Sequence, residues 1–187
     1  MNFEIKDHLI GSAEFIESPN NSERNCSIDL IVIHCISLPE GDFLNSNVID
    51  LFQNKLDHNK HPTFETLKEL KVSAHLFIRR DGKIIQFVPF DKCAWHAGES
   101  SFNNRDGCND FSIGIELEGT DNDPYRHEQY SQLSGLVDLL AIEYPVAAVV
   151  GHSDIAPNRK SDPGPSFNWR RLKALLRQST CVTLPID

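Results

Sequence analysis

The sequence predicts one α/β domain, a central mixed β-sheet flanked by α-helices, and three observations carry that prediction. Leu30-Ile31-Val32-Ile33-His34 and Val146 to Val150 are nearly continuous apolar runs, as in strands covered on both faces. Two β-rich runs, Ser73 to Arg80 and Lys83 to Val88, flank Asp81-Gly82, a two-residue hairpin signal whose turn positions both need positive φ. Apolar residues recur at helical spacing between these runs, so strands and helices intermix along the chain.

Residues 1–25, with Ser18-Pro19-Asn20-Asn21-Ser22, read as an irregular N-terminal arm. After the His34 strand, Pro39-Glu40-Gly41 is a break, and Val48, Ile49, Phe52 and Leu56 mark a helix. Residues 57–71 read as a long loop with His58 and His61 near Pro62, and loops of that length in small domains are commonly functional. The hairpin follows, then a second polar segment, residues 94–110, carrying Trp95-His96-Ala97-Gly98. In the next strand Phe111, Ile113, Ile115 and Leu117 alternate with Ser112, Gly114, Glu116 and Glu118. The first set faces a core, so Glu116 projects from the opposite, solvated face beside Gly114, which leaves space above the sheet. Tyr130, Leu133, Val137 and Leu140 mark an amphipathic helix closed by Pro145, and Trp169, Leu172, Leu175 and Leu176 mark a last one with Ser166 as N-cap.

At 187 residues and 40% hydrophobic, the chain suits a single core spanning residues 1–187. A formal net charge of −9 argues against nucleic-acid and anionic-membrane partners, which need clustered Lys and Arg. No run approaches the roughly 18 apolar residues of a membrane span, and the start, Met1-Asn2-Phe3-Glu4, lacks the apolar core of a secretory signal. Five scattered cysteines without a C-x-x-C pair speak against a disulfide framework and fit a reducing cytoplasm. Cys35 beside His34 invites a thiol-nucleophile reading, but strand alternation turns it to the other face.

His34 and His152 both end apolar runs, and Asp162 follows His152 by ten residues (162 − 152). Pro163 and Pro165 stiffen the backbone that presents it. Two imidazoles and one carboxylate leave a fourth tetrahedral position open, the composition of a catalytic zinc site holding one ion per chain. Asp154 is closer to His152 in sequence, yet Asp162 has the stiffer setting. Glu116 is the expected proton carrier and Lys160 the cation for a developing oxyanion. His75 reads as a hydrogen-bonded structural residue; His96 reads as lining a cleft beside Trp95, whose ring would stack on a sugar or apolar ligand. His58, His61 and His127 read as surface residues.

These motifs, taken together, resemble a known family. His34 after an apolar strand, Ser73-Ala74-His75, Trp95-His96-Ala97-Gly98, Ser112 to Gly119, and Gly151-His152 through Asp162-Pro163-Gly164-Pro165 are similar, in order, to the zinc N-acetylmuramoyl-L-alanine amidases. The resemblance implies the fold shared with peptidoglycan recognition proteins. It also implies zinc on His34, His152 and Asp162, with Glu116 as catalytic acid and Lys160 as transition-state cation. The implied reaction is hydrolysis of the amide between the lactyl group of 1,6-anhydro-N-acetylmuramic acid and L-Ala, on a soluble anhydro-muropeptide in cytoplasmic cell-wall recycling. Three positions depart from the pattern: Cys35 stands where Asn is common, Gly107 where an Arg lies, and Lys71 where Arg is familiar. Lys71 would meet substrate as a point charge rather than a bidentate fork. The alternative is a noncatalytic muropeptide-binding or sensing module on the same fold; such relatives lack one or more metal ligands, whereas this chain keeps all three and Glu116. No H-E-x-x-H is present, which lowers the ordinary metalloprotease option.

Overall fold

Strands whose two faces are both apolar need cover above and below, and the chain supplies it with helices and ordered loops. The computed structural model describes residues 3–186. In chain order its elements are β1 (Ile5–Lys6), β2 (Leu9–Ile10), β3 (Glu14–Phe15), β4 (Asn21–Glu23), β5 (Leu30–Ile36), α1 (Asn47–Phe52), β6 (Leu76–Ile78), β7 (Ile84–Gln86), β8 (Lys92–Ala94), β9 (Ser101–Phe102), β10 (Arg105–Asp106), β11 (Ser112–Glu118), α2 (His127–Glu143), β12 (Ala148–Gly151), α3 (His152–Ile155) and α4 (Trp169–Leu175).

Six strands form the main sheet in the order β12-β5-β11-β6-β7-β3. Only β6 and β7 pair antiparallel, so the sheet is mixed, as the sequence predicts. On one face Ile31 and Ile33 of β5 and Ile113, Ile115 and Leu117 of β11 share a core with Leu133, Leu136, Val137 and Leu140 of α2 and Leu172 of α4. On the other, Leu30 and Val32 meet Ala97, Cys108, Val150 and Ile155, and a further cluster joins Phe77, Ile85 and Phe87 to Val48, Leu51 and Phe52 of α1. Each fully buried side chain of this size contributes roughly 1.5–3 kcal/mol of transfer free energy.

Four local expectations are corrected. The N-terminal arm is not irregular: β1 and β2 form a hairpin, β3 pairs parallel with β7 as the sheet's edge, and β4 pairs with β8. Strands of two or three residues are too short to show a period. Arg24 fastens this arm, donating from Nε to the Phe90 carbonyl, from Nη1 to Asp110 and from Nη2 to Lys92 and Ser112, at 2.6–3.0 Å. The β6–β7 turn is a three-residue loop, not a two-residue one. Gly82 N donates to Arg79 O while Arg79 N donates to Lys83 O, and only Gly82, at φ 83°, takes positive φ.

The α1 helix stops at Phe52, and Asn54 takes φ 59°, so Leu56 is buried beyond the helix rather than on it. The N-cap of α4 is Asn168, whose side chain accepts from Arg171 N, while the Ser166 hydroxyl donates to the Asp121 and Asp123 carbonyls. Residues 57–71 include a 3-10 turn, Pro62–Leu67, capped by His61. His58 and His61 are half-buried and His127 is exposed.

Loss of the Asn168 cap should lower global stability modestly. Urea unfolding of Asn168→Ala is expected to give a stability lower by about 1 kcal/mol with an unchanged denaturant slope.

Candidate active site

Parallel pairing fixes which side chains can meet. Glu116 of β11 lies directly opposite His34 of β5, and Gly151 of β12 lies opposite Ile33, so His152, the next residue, falls at the level of His34. His34 and Glu116 on two adjacent strands and His152, the first residue after a third, thus lie in one row at the carboxyl ends of the strands, where open α/β sheets present ligand sites. The fourth member arrives on the loop after α3. Ser153 N donates to Asp162 O at 3.0 Å, which holds that loop against the helix start. Asp154 instead accepts from Gly151 N at 2.7 Å and serves as a helix cap.

His34 Nδ1 lies 2.9 Å from His152 Nδ1, and each lies 3.1 Å from Asp162 Oδ2. His152 Nε2 is 3.0 Å from the Ala97 carbonyl, which can only accept, and 3.4 Å from Arg159 Nη2, which can only donate; the closer carbonyl takes the ring proton, so Nδ1 turns a lone pair inward. A lone pair and a carboxylate so close repel unless a proton or cation lies between them. Zinc bonds of about 2.0–2.2 Å in a tetrahedron put donors roughly 3.4 Å apart, so these three need spread by only a few tenths of an ångström. The donor set therefore fits a zinc ion. One ligand atom from each of these three residues lies within 4.8 Å of the other two.

Protonation states agree with ligation. Burial, aided by neighbouring His152 and opposed by Asp162, lowers the His34 pKa to about 4, so the ring is neutral. For Asp162, burial pushes upward, but the hydrogen bonds to His152 and His34 outweigh it and hold the carboxyl below its usual range. Neutral imidazole and ionised carboxylate are the forms that bind metal.

Glu116 departs from the expected solvated face: it is only 9% exposed, and its Oε2 has no hydrogen-bond partner among the described residues. The space above Gly114 is not open but holds the His96 imidazole. A Cβ on Gly114 would sit 2.4 Å from His96 Cγ. Burial first, and the Asp162 charge second, raise the Glu116 pKa well above normal, while Lys160 pulls it down.

These groups open on a cleft of about 400 Å³. Lys160, Trp95 and Lys71 all border it, and the Lys160 side chain makes no hydrogen bond or ion pair among the described residues. Half-buried Trp95 donates from its indole to Ser22 Oγ at 3.3 Å. His96 differs from the expected substrate contact. Although it borders the cleft, it is buried, and its ring nitrogens meet His34 Nε2 at 2.9 Å and Ser112 Oγ at 3.1 Å. His75 is structural, accepting from Gly114 N on Nδ1. Cys35 is half-buried, its thiol 3.5 Å from Asp121 and raised in pKa by burial, which disfavours a thiolate.

Sequence reasoning missed three features. Leu38, Leu51, Leu67 and Leu70 add apolar lining to the cleft, Asn109 borders it, and so does Arg159, which donates to the Ala97 and Glu99 carbonyls. Asn109 Oδ1 also accepts from the backbone of His96 and Ala97. Arg159 sits beside Lys160 in the proline-rich loop, which was a usable signal; Asn109 carried none. A larger cavity, about 560 Å³, lies across Arg159 and is bordered by Gly107, but it holds none of the clustered donors, so the chemistry belongs to the smaller cleft. No helix among the described residues is long and apolar enough to cross a membrane.

Comparison with known proteins is consistent with this geometry. The 1,6-anhydro-N-acetylmuramyl-L-alanine amidase AmpD of Citrobacter freundii is 54% identical over 153 residues, covering 81% of this chain and 82% of that protein. The crystal structure of a Se-Met AmpD derivative superposes with a TM-score of 0.91 at 48% identity, covering 93% and 99% of the two chains. The N-acetylmuramyl-L-alanine amidase AmiD from E. coli, solved in complex with anhydro-N-acetylmuramic acid-L-Ala-D-gamma-Glu-L-Lys, superposes with a TM-score of 0.58 at 31% identity, over 79% of this chain and 57% of that one. The family model described as N-acetylmuramoyl-L-alanine amidase matches residues 24–165, and with a sheet, cleft and donor cluster of this kind the chain belongs to that family.

Proposed function

We propose that this protein is a zinc-dependent amidase that cleaves the bond between the lactyl group of 1,6-anhydro-N-acetylmuramic acid and L-Ala of the stem peptide, acting on soluble fragments in cytoplasmic peptidoglycan recycling. The observation that carries the reading is the convergence of His34, His152 and Asp162 beside a buried, unpartnered Glu116. The names of the similar AmpD and AmiD proteins support the choice of substrate.

Zinc held by His34, His152 and Asp162 would supply Lewis acidity, polarising the scissile carbonyl and easing deprotonation of water near neutral pH. Glu116 handles protons. Burial favours its neutral form and the Lys160 charge its ionised form, so the group is poised to accept a proton from attacking water and return it to the leaving nitrogen. Lys160, with no competing partner among the described residues, offers its ammonium to the oxygen that gains charge in the tetrahedral transition state. Trp95 and the leucine lining present apolar area to the sugar ring, and Lys71 offers charge to the acidic stem peptide. A purely binding role would have no use for a buried carboxyl without a partner, which leaves Glu116 as the feature favouring catalysis.

Mass analysis of products from soluble anhydro-muropeptide and from intact murein tests the assignment, with free stem peptide expected from the first; preference for intact murein would refute the recycling role. Metal analysis should find about one zinc per chain, with activity lost on chelation and restored by zinc. Glu116→Gln should lower kcat by about 10²–10⁴-fold while zinc content stays the same. Lys160→Ala should lower kcat by about 10²–10³-fold with little change in KM, measured by steady-state release of peptide.

A further inference from the structure

We propose that His96 is a positioning residue of the metal centre, fixing the tautomer and orientation of His34 from behind, and that Gly114 is the gap in the sheet that admits it. The assignment rests on the metal reading above and adds to it a residue that acts through His34.

The direction of every hydrogen bond in the chain of contacts behind His34 follows from its last member. The Cys108 carbonyl can only accept, and the Ser112 hydroxyl donates to it. Ser112 Oγ is then free to accept from His96 Nε2, 3.1 Å away. A neutral imidazole that donates from Nε2 carries no proton on Nδ1, so His96 Nδ1 accepts from His34 Nε2 at 2.9 Å. His34 in turn has its bare nitrogen, Nδ1, facing His152 and Asp162. One backbone carbonyl, relayed through a hydroxyl and an imidazole, thus selects the ligating form of His34. His152 receives the same instruction directly from the Ala97 carbonyl.

Steric features hold the relay in place. The His96 ring occupies the volume a side chain at 114 would take, with Cγ, Cδ2 and Nδ1 all within 2.6 Å of an ideal Cβ there. The rings of His34 and His96 meet edge to face at 5.0 Å, and His96 meets His75 at 5.8 Å from its other side. Asn109 pins the backbone on which His96 is carried, accepting from His96 N at 3.0 Å and Ala97 N at 2.8 Å. Ala97 thereby joins both relays, since its carbonyl orients His152. Supporting hydrogen bonds of this kind are worth roughly 10–100-fold in metal affinity.

Ring-nitrogen NMR of the wild-type protein labelled with ¹⁵N-histidine decides the tautomers without any variant. The expected result is His96 protonated on Nε2 and bare on Nδ1, with and without zinc, and a His34 Nδ1 resonance that moves when zinc is added. His96 protonated on Nδ1 would overturn the assignment. In parallel, His96→Ala and Ser112→Ala should weaken zinc affinity by about 10–100-fold in a chelator competition and alter the visible spectrum of the cobalt-substituted protein. His96→Asn, whose Oδ1 can still accept from His34, should recover most of that affinity. A folded His96→Ala protein with wild-type zinc affinity and an unchanged cobalt spectrum would also overturn it. Wild-type protein that takes up no zinc would sink the metal reading itself, a failure distinct from these.

Discussion

Parallel register across β12, β5 and β11 is the constraint on which the active face depends. Because Glu116 is paired with His34 and Gly151 with Ile33, a single row across the sheet carries two imidazoles and a carboxyl. A slip of one residue in either pair would turn the affected side chain to the helix-covered core. The core on the α2 and α4 side guards against that slip, since Ile31, Ile33, Ile113, Ile115 and Leu117 would all have to leave it together. The hydrophobic pattern that folds the sheet is thus the same pattern that aligns the polar row on its other face.

Burial then sets the electrical character of that row. Removed from water, the His34 imidazole stays neutral and offers a lone pair, while Asp162, gripped by both rings, keeps its charge. Glu116 lies between these limits. The chain as a whole is acidic, with a formal net charge of −9, yet Lys71, Arg159 and Lys160 gather around one cleft. Local cations on an acidic protein can attract an anionic peptide without making the whole surface sticky toward polyanions.

Much of this was legible in the chain. His34 and His152 announce themselves by ending apolar runs, Asp162 by its prolines, and the placement of Glu116 on the face opposite Ile113 and Ile115 by simple alternation. Its burial was not legible, because the residue that fills the space above Gly114 is His96, eighteen positions earlier (114 − 96), and no local pattern records that meeting. The same applies to the arm. Its strands are two or three residues long, so pairing with β7 and β8 is decided by tertiary contacts rather than by propensity. The hairpin turn was misjudged by one residue because Asp-Gly serves two loop lengths, and of the two residues only Gly82 takes positive φ.

The Arg24 guanidinium reaches past the arm, donating to the Asp110 carbonyl at the end of the 3-10 turn Cys108–Asp110 and to the Ser112 carbonyl at the start of β11, and sits 3.0 Å from His75 Nε2. His75 in turn grips Gly114, the residue whose missing side chain houses His96. The arm is therefore three contacts away from the imidazole that backs His34, and a segment that looks peripheral in sequence acts as a keystone for the histidine cluster. Since guanidinium stays charged across the whole physiological range, that keystone does not loosen as acidity changes.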